Sequence, residues 1–341
     1  MGQELRVKQP YMIGVQVTLW GRAAQQLIKP DSQCSGSFIF KLIARRLIRA
    51  LGCISPENGG GGGLRVIVKA VIIGMLVMLA GTIPRNIIFV ANLRYYPIVP
   101  WAVPLTAVYL WFFWRYLNGA GSPESTAEER RISLRANPVS GRVWAWSLLA
   151  GGLGIVALVI ALHVANRMVV LPQQQLPDLT HVPKFTILSL LLMAAPVAGI
   201  VEEAAFRGYM QRPIERRYGL AIAILVTGTM FAVAHLDFTL VLLPYYVAVA
   251  AIYGTITYLT ESILPTIVLH TSGNIYSNID LWLHGQAEWQ ASSGSTELIW
   301  KSGIDASFWI SSIALFIVGA ATVWAYFKLA RAARKSLASV A

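Results

Sequence analysis

From about residue 65 onward the chain repeats one pattern, a run of roughly twenty apolar residues followed by a short polar connection. The runs lie near 65–83, 99–117, 143–165, 185–208, 219–236, 240–259, 262–283 and 308–328. Each is long enough to cross a hydrocarbon layer of about 30 Å as a helix. The predicted fold class is therefore all-α, a polytopic transmembrane helical bundle of about eight spans. The stretch Pro84 to Pro100, with its prolines and arginines, is expected to separate the first two spans. Ahead of the runs, Ser37 to Gly52 sets Ile39, Leu42, Ile43, Leu47 and Leu51 against Lys41, Arg45, Arg46 and Arg49. That pattern suits a basic amphipathic helix on an anionic membrane surface, or equally a basic extension with no fixed structure. Gly59 to Gly63 is a flexible glycine linker. It divides a basic N-terminal extension, 1–63, from a transmembrane domain, 64–341, whose chemically distinctive core lies at about 185–285.

Composition strengthens the membrane reading. The 341 residues are 56% hydrophobic and 13% charged, about half the charged fraction of a soluble domain, and the mean hydropathy is +0.58. A net charge of +12 could signal nucleic acid, but the basic residues sit beside apolar runs and read instead as orientation signals, so no nucleic-acid partner is expected. They cluster in 1–64, in 115–142 (Arg115, Arg130, Arg131, Arg135, Arg142), in 207–217 and after 327, whereas 166–184 and 284–307 carry only Arg167, Lys184 and Lys301. Eight spans from a cytoplasmic N-terminus put every rich segment inside and both poor ones outside. Arg85 and Arg94 in the segment 84–98 are the exception. The expected protein is multi-pass, in a cytoplasmic membrane of bacterial type, with both termini cytoplasmic. Cys34 and Cys53 form no CxxC pair, so neither a cysteine metal site nor a disulfide framework is expected. No removable signal peptide is evident in the first thirty residues.

Charged groups inside spans cost about 2.5–3.5 kcal/mol each to insert, so each needs a partner or a purpose. The fourth run ends in Glu202-Glu203-Ala-Ala-Phe-Arg207, the fifth contains Phe231-Ala-Val-Ala-His235, and the seventh contains His270-Thr-Ser-Gly-Asn274. Glu203 and Arg207, four apart, share a helix face and can pair. Glu202 is offset by about 100° and is expected to point elsewhere, on a face with Ala195, Ala198, Gly199 and Ala205 that lets a neighbour approach closely. His270 and Asn274 share a face that Thr266 and Ser277 extend into a polar stripe. Glu202 lies sixteen residues before Tyr218 and His235 sixteen after Gly219, so an antiparallel hairpin turning there sets them at one depth, with Arg212 to Arg217 protruding. Counting from Ser262 puts His270 only about 12 Å into its span, which requires tilt, a kink or a re-entrant start.

A carboxylate and an imidazole at one depth can activate water as general base, and a second imidazole with an amide can stabilise an oxyanion. That set suffices for peptide-bond hydrolysis with no covalent nucleophile and no cofactor. Glu202, His235 and His270 could instead hold Zn²⁺, although HExxH is absent. The structural alternatives are a Glu202–His235 hydrogen bond between helices, interhelical adhesion by His270 and Asn274, a purely structural Glu203–Arg207 pair, and packing for Phe231. Trp101, Trp111, Trp114, Trp144, Trp146 and Trp282 read as interfacial belt residues.

The three motifs, EExxxR, FxxxH and HxxxN, resemble those of the CPBP intramembrane proteases. That family includes the type II CAAX prenyl endopeptidases and bacteriocin-processing or self-immunity proteins. The resemblance covers roughly 185–285 and leaves residues 1–63 outside it. It implies that Glu202 and His235 activate water, that His270 and Asn274 form the oxyanion hole, and that Glu203 and Arg207 support the site. The implied partners are the lipid bilayer and a peptide or membrane-protein substrate. A non-catalytic scaffold or immunity factor of the same fold, and a transporter using the same buried groups, are the competing functions.

Overall fold

The computed structural model describes residues 63–171, 179–235, 241–284 and 297–338; the amphipathic stretch 37–52 lies outside them. The described residues form ten helices: α1 (Gly63–Tyr95), α2 (Ala102–Leu117), α3 (Ala127–Leu134), α4 (Gly141–Met168), α5 (Lys184–Tyr218), α6 (Leu220–Ala234), α7 (Leu243–Thr260), α8 (Leu264–His284), the short α9 (Ile299–Ser302) and α10 (Ala306–Ala338). Among them there is no strand, and one isolated bridge joins Ala136 to Ser262. Every predicted apolar run is a helix. Four helices, α1, α4, α5 and α10, are long and apolar enough to cross a membrane by themselves. The chain is an all-helical membrane bundle.

The first boundary is corrected by the structure. α1 does not stop before Pro84 but runs through it to Tyr95. A proline inside a helix removes one backbone hydrogen bond, and close neighbours make that loss tolerable in an apolar bundle. The consequence is chemical, because Arg85 and Asn86 become buried groups on a helix face instead of loop residues. The chain turns only after Asn92, whose side-chain amide donates to the carbonyls of Tyr96 (2.8 Å) and Val99 (2.9 Å) while its oxygen accepts from the Ala102 N–H (2.9 Å).

Two arginines of the basic segment 115–142 are likewise internal. Arg130, 1% exposed, donates to the carbonyls of Tyr116 (2.5 Å), Ala120 (2.9 Å), Gly121 (3.0 Å) and Pro123 (3.3 Å). It thereby ties the last turn of α2 to the loop that follows, satisfying three carbonyls of that loop. Arg135, fully buried, pairs with Glu215 of α5 at 2.7 Å and with Glu261 at 3.1 Å, and donates to the Thr257 carbonyl at 3.2 Å. Its own carbonyl accepts from the Ile263 N–H at 2.9 Å.

This junction fixes where α8, and with it His270, starts relative to α5. Ser262 and Ile263 are buried, so α8 begins inside the protein, seated on the Arg135–Asn137 segment and level with Glu215. Arg216 and Arg217, the tip of the α5–α6 hairpin, extend past it and are exposed. α8 thus starts at a buried position rather than at the exposed end of the molecule.

The core is assembled around α5, with α1 and α8 packed along it and α6 and α7 closing the far side. Glycines set the approach. A Cβ at Gly199 would strike the Thr271 side chain and sit 3.0 Å from the Ile267 carbonyl oxygen, both on α8; one at Gly81 would strike Val201. Gly199→Leu is expected to push α8 off α5 and destabilise by about 1–3 kcal/mol, read as a lower thermal midpoint in detergent. Glu215→Gln, which leaves Arg135 without its buried counter-charge, is expected to cost about 3–5 kcal/mol. Arg135→Met with Glu215→Met should recover most of that loss in the same measurement.

Candidate active site

α5 carries two carboxylates in succession and changes pitch where they occur. It is α-helical to Glu202 and π-helical over Glu203–Met210. The wider turn reorients the side chains that follow, a device common at functional sites. All eight π-helical residues are buried, so the charges here are enclosed by protein.

The antiparallel hairpin has the register its sequence implies. Phe206 lies twelve residues before Tyr218 and Phe231 twelve after Gly219, and their rings meet edge-on at 5.2 Å. Glu202 and His235 each lie four residues further from the turn along the sequence. The Phe231 ring also packs against His235 (4.5 Å), Tyr246 (5.8 Å) and His270 (6.3 Å), and the Arg207 guanidinium lies 5.2 Å from its centroid. Phe231 is thus the apolar hub on which both histidines and the arginine are arranged.

His270 connects the helices chemically. Its Nδ1 lies 2.8 Å from Glu203 Oε1, and the same oxygen lies 3.2 Å from Arg207 Nη1. Its other ring nitrogen, Nε2, lies 3.6 Å from Glu202 Oε2. Glu202 therefore does not point away from Glu203. Because the ring's two nitrogens sit on opposite edges, adjacent carboxylates on a widened helix can flank it. Tyr253 stacks on the opposite face of the site, 5.2 Å from the His270 ring at 20°, and the Arg207 guanidinium lies 5.3 Å from the Tyr253 centroid.

Proton positions follow from the partners. A carbonyl oxygen can only accept, so His235 Nδ1, 2.8 Å from the Phe231 carbonyl, carries the proton and leaves the lone pair on Nε2. Glu203, ion-paired with Arg207, holds the proton on His270 Nδ1 in the same way. Glu203 and Arg207 are wholly buried, Glu202 and His270 nearly so, whereas His235 and Asn274 are half-buried. Burial thus decreases from Glu203 and Arg207 toward His235 and Asn274. Asn274 lies one turn beyond His270 on the same face. A further turn along, Asn278 donates to the Leu191 carbonyl at 2.8 Å and ties α8 to α5.

Three residues escaped the sequence reading. Arg85, 1% exposed, interacts electrostatically with Glu202. It stands one turn from Gly81, which touches Val201 beside that carboxylate. Reading 63–95 as one helix through Pro84 would have exposed it as a buried charge. Tyr246 and Tyr253, seven apart on α7, form an aromatic stripe that ordinary packing equally explains. Among the described residues no group of three or more His, Cys, Asp or Glu is arranged to hold a metal ion.

Residues 184–276 match the family model described as type II CAAX prenyl endopeptidase Rce1-like. No curated protein and no solved structure matches the chain. The matched segment begins with the first residue of α5 and includes Glu202, Glu203, Arg207, Phe231, His235, His270 and Asn274. Within its bundle of apolar helices, the chain thus has over residues 184–276 a segment similar to the type II CAAX prenyl endopeptidase Rce1-like family.

Proposed function

We propose that this protein is an intramembrane endopeptidase that hydrolyses a peptide bond by direct attack of a water molecule. Glu202 and His235 activate the water, and His270 and Asn274 stabilise the oxyanion. The observation that carries the reading is the placement of His270, with Nδ1 fixed by Glu203 and Nε2 facing Glu202 at 3.6 Å. Nε2 and the Glu202 carboxylate therefore border one spot, and a water held there by Glu202 lies within reach of the imidazole.

The steps follow from the groups present. Water bound at Glu202 gives up a proton to the carboxylate–His235 base as its oxygen attacks the scissile carbonyl. The carbonyl oxygen becomes an oxyanion. It accepts hydrogen bonds from the Asn274 amide and from His270 Nε2–H, the ring carrying both protons in this role, with Glu203 opposite. The tetrahedral species then collapses, and the departing amine takes the proton held on the Glu202 side. Glu203 and Arg207 orient His270 and do not meet substrate. Arg85 supplies Glu202 with a buried counter-charge that keeps a carboxylate admissible in an apolar interior. The matched family is named for CAAX prenyl endopeptidases, so a prenylated C-terminal peptide is the first substrate to assay.

In proteoliposomes, a farnesylated CAAX peptide is expected to be cut by the wild type. Glu202→Gln and His235→Ala should each slow turnover by about 10²–10⁴-fold with the thermal midpoint preserved. Full activity in either variant would refute the mechanism, and restoration of a deletion phenotype by Glu202→Gln would favour a non-catalytic scaffold. Arg85→Met is expected to lower the thermal midpoint, since it removes a buried positive charge whose field favours the Glu202 carboxylate. Arg85→Lys should restore most of it, and an unchanged midpoint in Arg85→Met would dismiss the coupling to Glu202.

A further inference from the structure

α4 and α10 stand apart from the catalytic cluster and pack along one another. Both face outward, for only 17% of the apolar window of α4 and 6% of that of α10 is buried within the protein. Neither helix contains an aspartate or glutamate. Where the N-terminal end of α4 meets the C-terminal end of α10 there is a cleft of about 410 Å³, lined by Arg142, Trp146, Lys328, Arg331, Arg334 and Lys335. Pockets of this size accommodate small-molecule groups. None of the described residues lining it is acidic.

The cleft has built walls. Trp146, which lines it, is braced edge-on at 5.4 Å by Trp324 behind it, and Lys328 Nζ lies 5.3 Å from the Trp324 ring. Trp324, Lys328, Arg331 and Lys335 follow one another at spacings of four, three and four, which places them in a single stripe on α10. Below the cations this surface is apolar and exposed, with Val323, Trp324 and Phe327 all more than half accessible. A cationic cleft continuous with an apolar, outward-facing helix surface matches a molecule with a phosphate head and hydrocarbon chains. Basic pockets between membrane helices recognise such headgroups.

We infer that the α4–α10 cleft binds the headgroup of an anionic phospholipid, with the acyl chains lying along the exposed face of α10. Orientation signalling alone requires only that cations lie on one side of the membrane. It does not require five of them around one cavity with a tryptophan, Trp146, in its wall. The inference is independent of the proposed proteolytic mechanism.

The test is lipid retention by the full-length protein in mild detergent, measured by native mass spectrometry after equilibration with phosphatidylglycerol or phosphatidylcholine. The wild type should retain phosphatidylglycerol preferentially. Arg331→Gln/Arg334→Gln/Lys335→Gln, and separately Arg142→Gln/Lys328→Gln, should each lower that preference at least about tenfold, since each cation contributes about a fivefold factor. Arg216→Gln/Arg217→Gln removes exposed cations from the same end of the molecule but outside the cleft, and should leave the preference unchanged. Unchanged retention in both cleft variants overturns the inference. An equal fall in the Arg216/Arg217 variant assigns the effect to general surface charge and overturns it as well. Stabilisation of the wild type by inorganic phosphate to the same extent as by phosphatidylglycerol would identify a free-phosphate site and overturn the lipid assignment.

Discussion

A single carboxylate oxygen, Glu203 Oε1, holds α5 and α8 in their working relation. It takes the Arg207 guanidinium at 3.2 Å and the His270 ring at 2.8 Å, with carboxylate and guanidinium wholly buried. In an apolar interior neither charge is admissible alone, and breaking such a group leaves an uncompensated charge. The rest of the site is arranged around that requirement. The π-helical turn brings Glu202 to the other edge of His270, Phe231 and Tyr253 present their rings to Arg207, and Gly199 lets α8 come close enough for the imidazole to reach. Arg85 extends the balance of charge to Glu202 from a third helix.

The same rule governs the end of the bundle where α8 begins. Arg135 joins Glu215, Glu261 and the Thr257 carbonyl, and Gln211 adds hydrogen bonds to Glu215 at 2.9 Å and to the Gly254 carbonyl at 3.0 Å. This second polar knot sets the level at which α8 enters the protein, and with it the depth of His270. Chemistry and scaffold are therefore linked along one helix, α5, which contributes Glu202, Glu203 and Arg207 to the first cluster and Gln211 and Glu215 to the second. α4 and α10 belong to neither. Their small buried share and basic end suit a surface that meets lipid.

Much of this was legible in the residues. Apolar runs located the helices, because a membrane span must satisfy every backbone group within itself and so reveals itself by length and hydropathy. The spacing of Glu203 and Arg207 predicted their pair, and equal counts from Tyr218 and Gly219 predicted the hairpin register that the Phe206–Phe231 contact displays. The three motifs picked out the segment that the endopeptidase family model matches.

What the linear order determined, then, was periodicity: which stretches are helical, which residues share a face, and which polar groups are too costly to lie in an apolar run without a partner. What the tertiary structure decided was which partners those groups find. Pro84 reads locally as a helix end, yet neighbouring helices let α1 continue and bury Arg85. An ideal helical wheel sends Glu202 and Glu203 apart, yet a π-helical turn and a two-edged imidazole on another helix bring both to one ring. Arg130 and Arg135 read only as members of a basic, orientation-setting segment until the carbonyls and carboxylates they satisfy are in place. A helix's geometry is set by its own backbone, whereas the satisfaction of a buried charge depends on groups distant in sequence, and only packing brings those together.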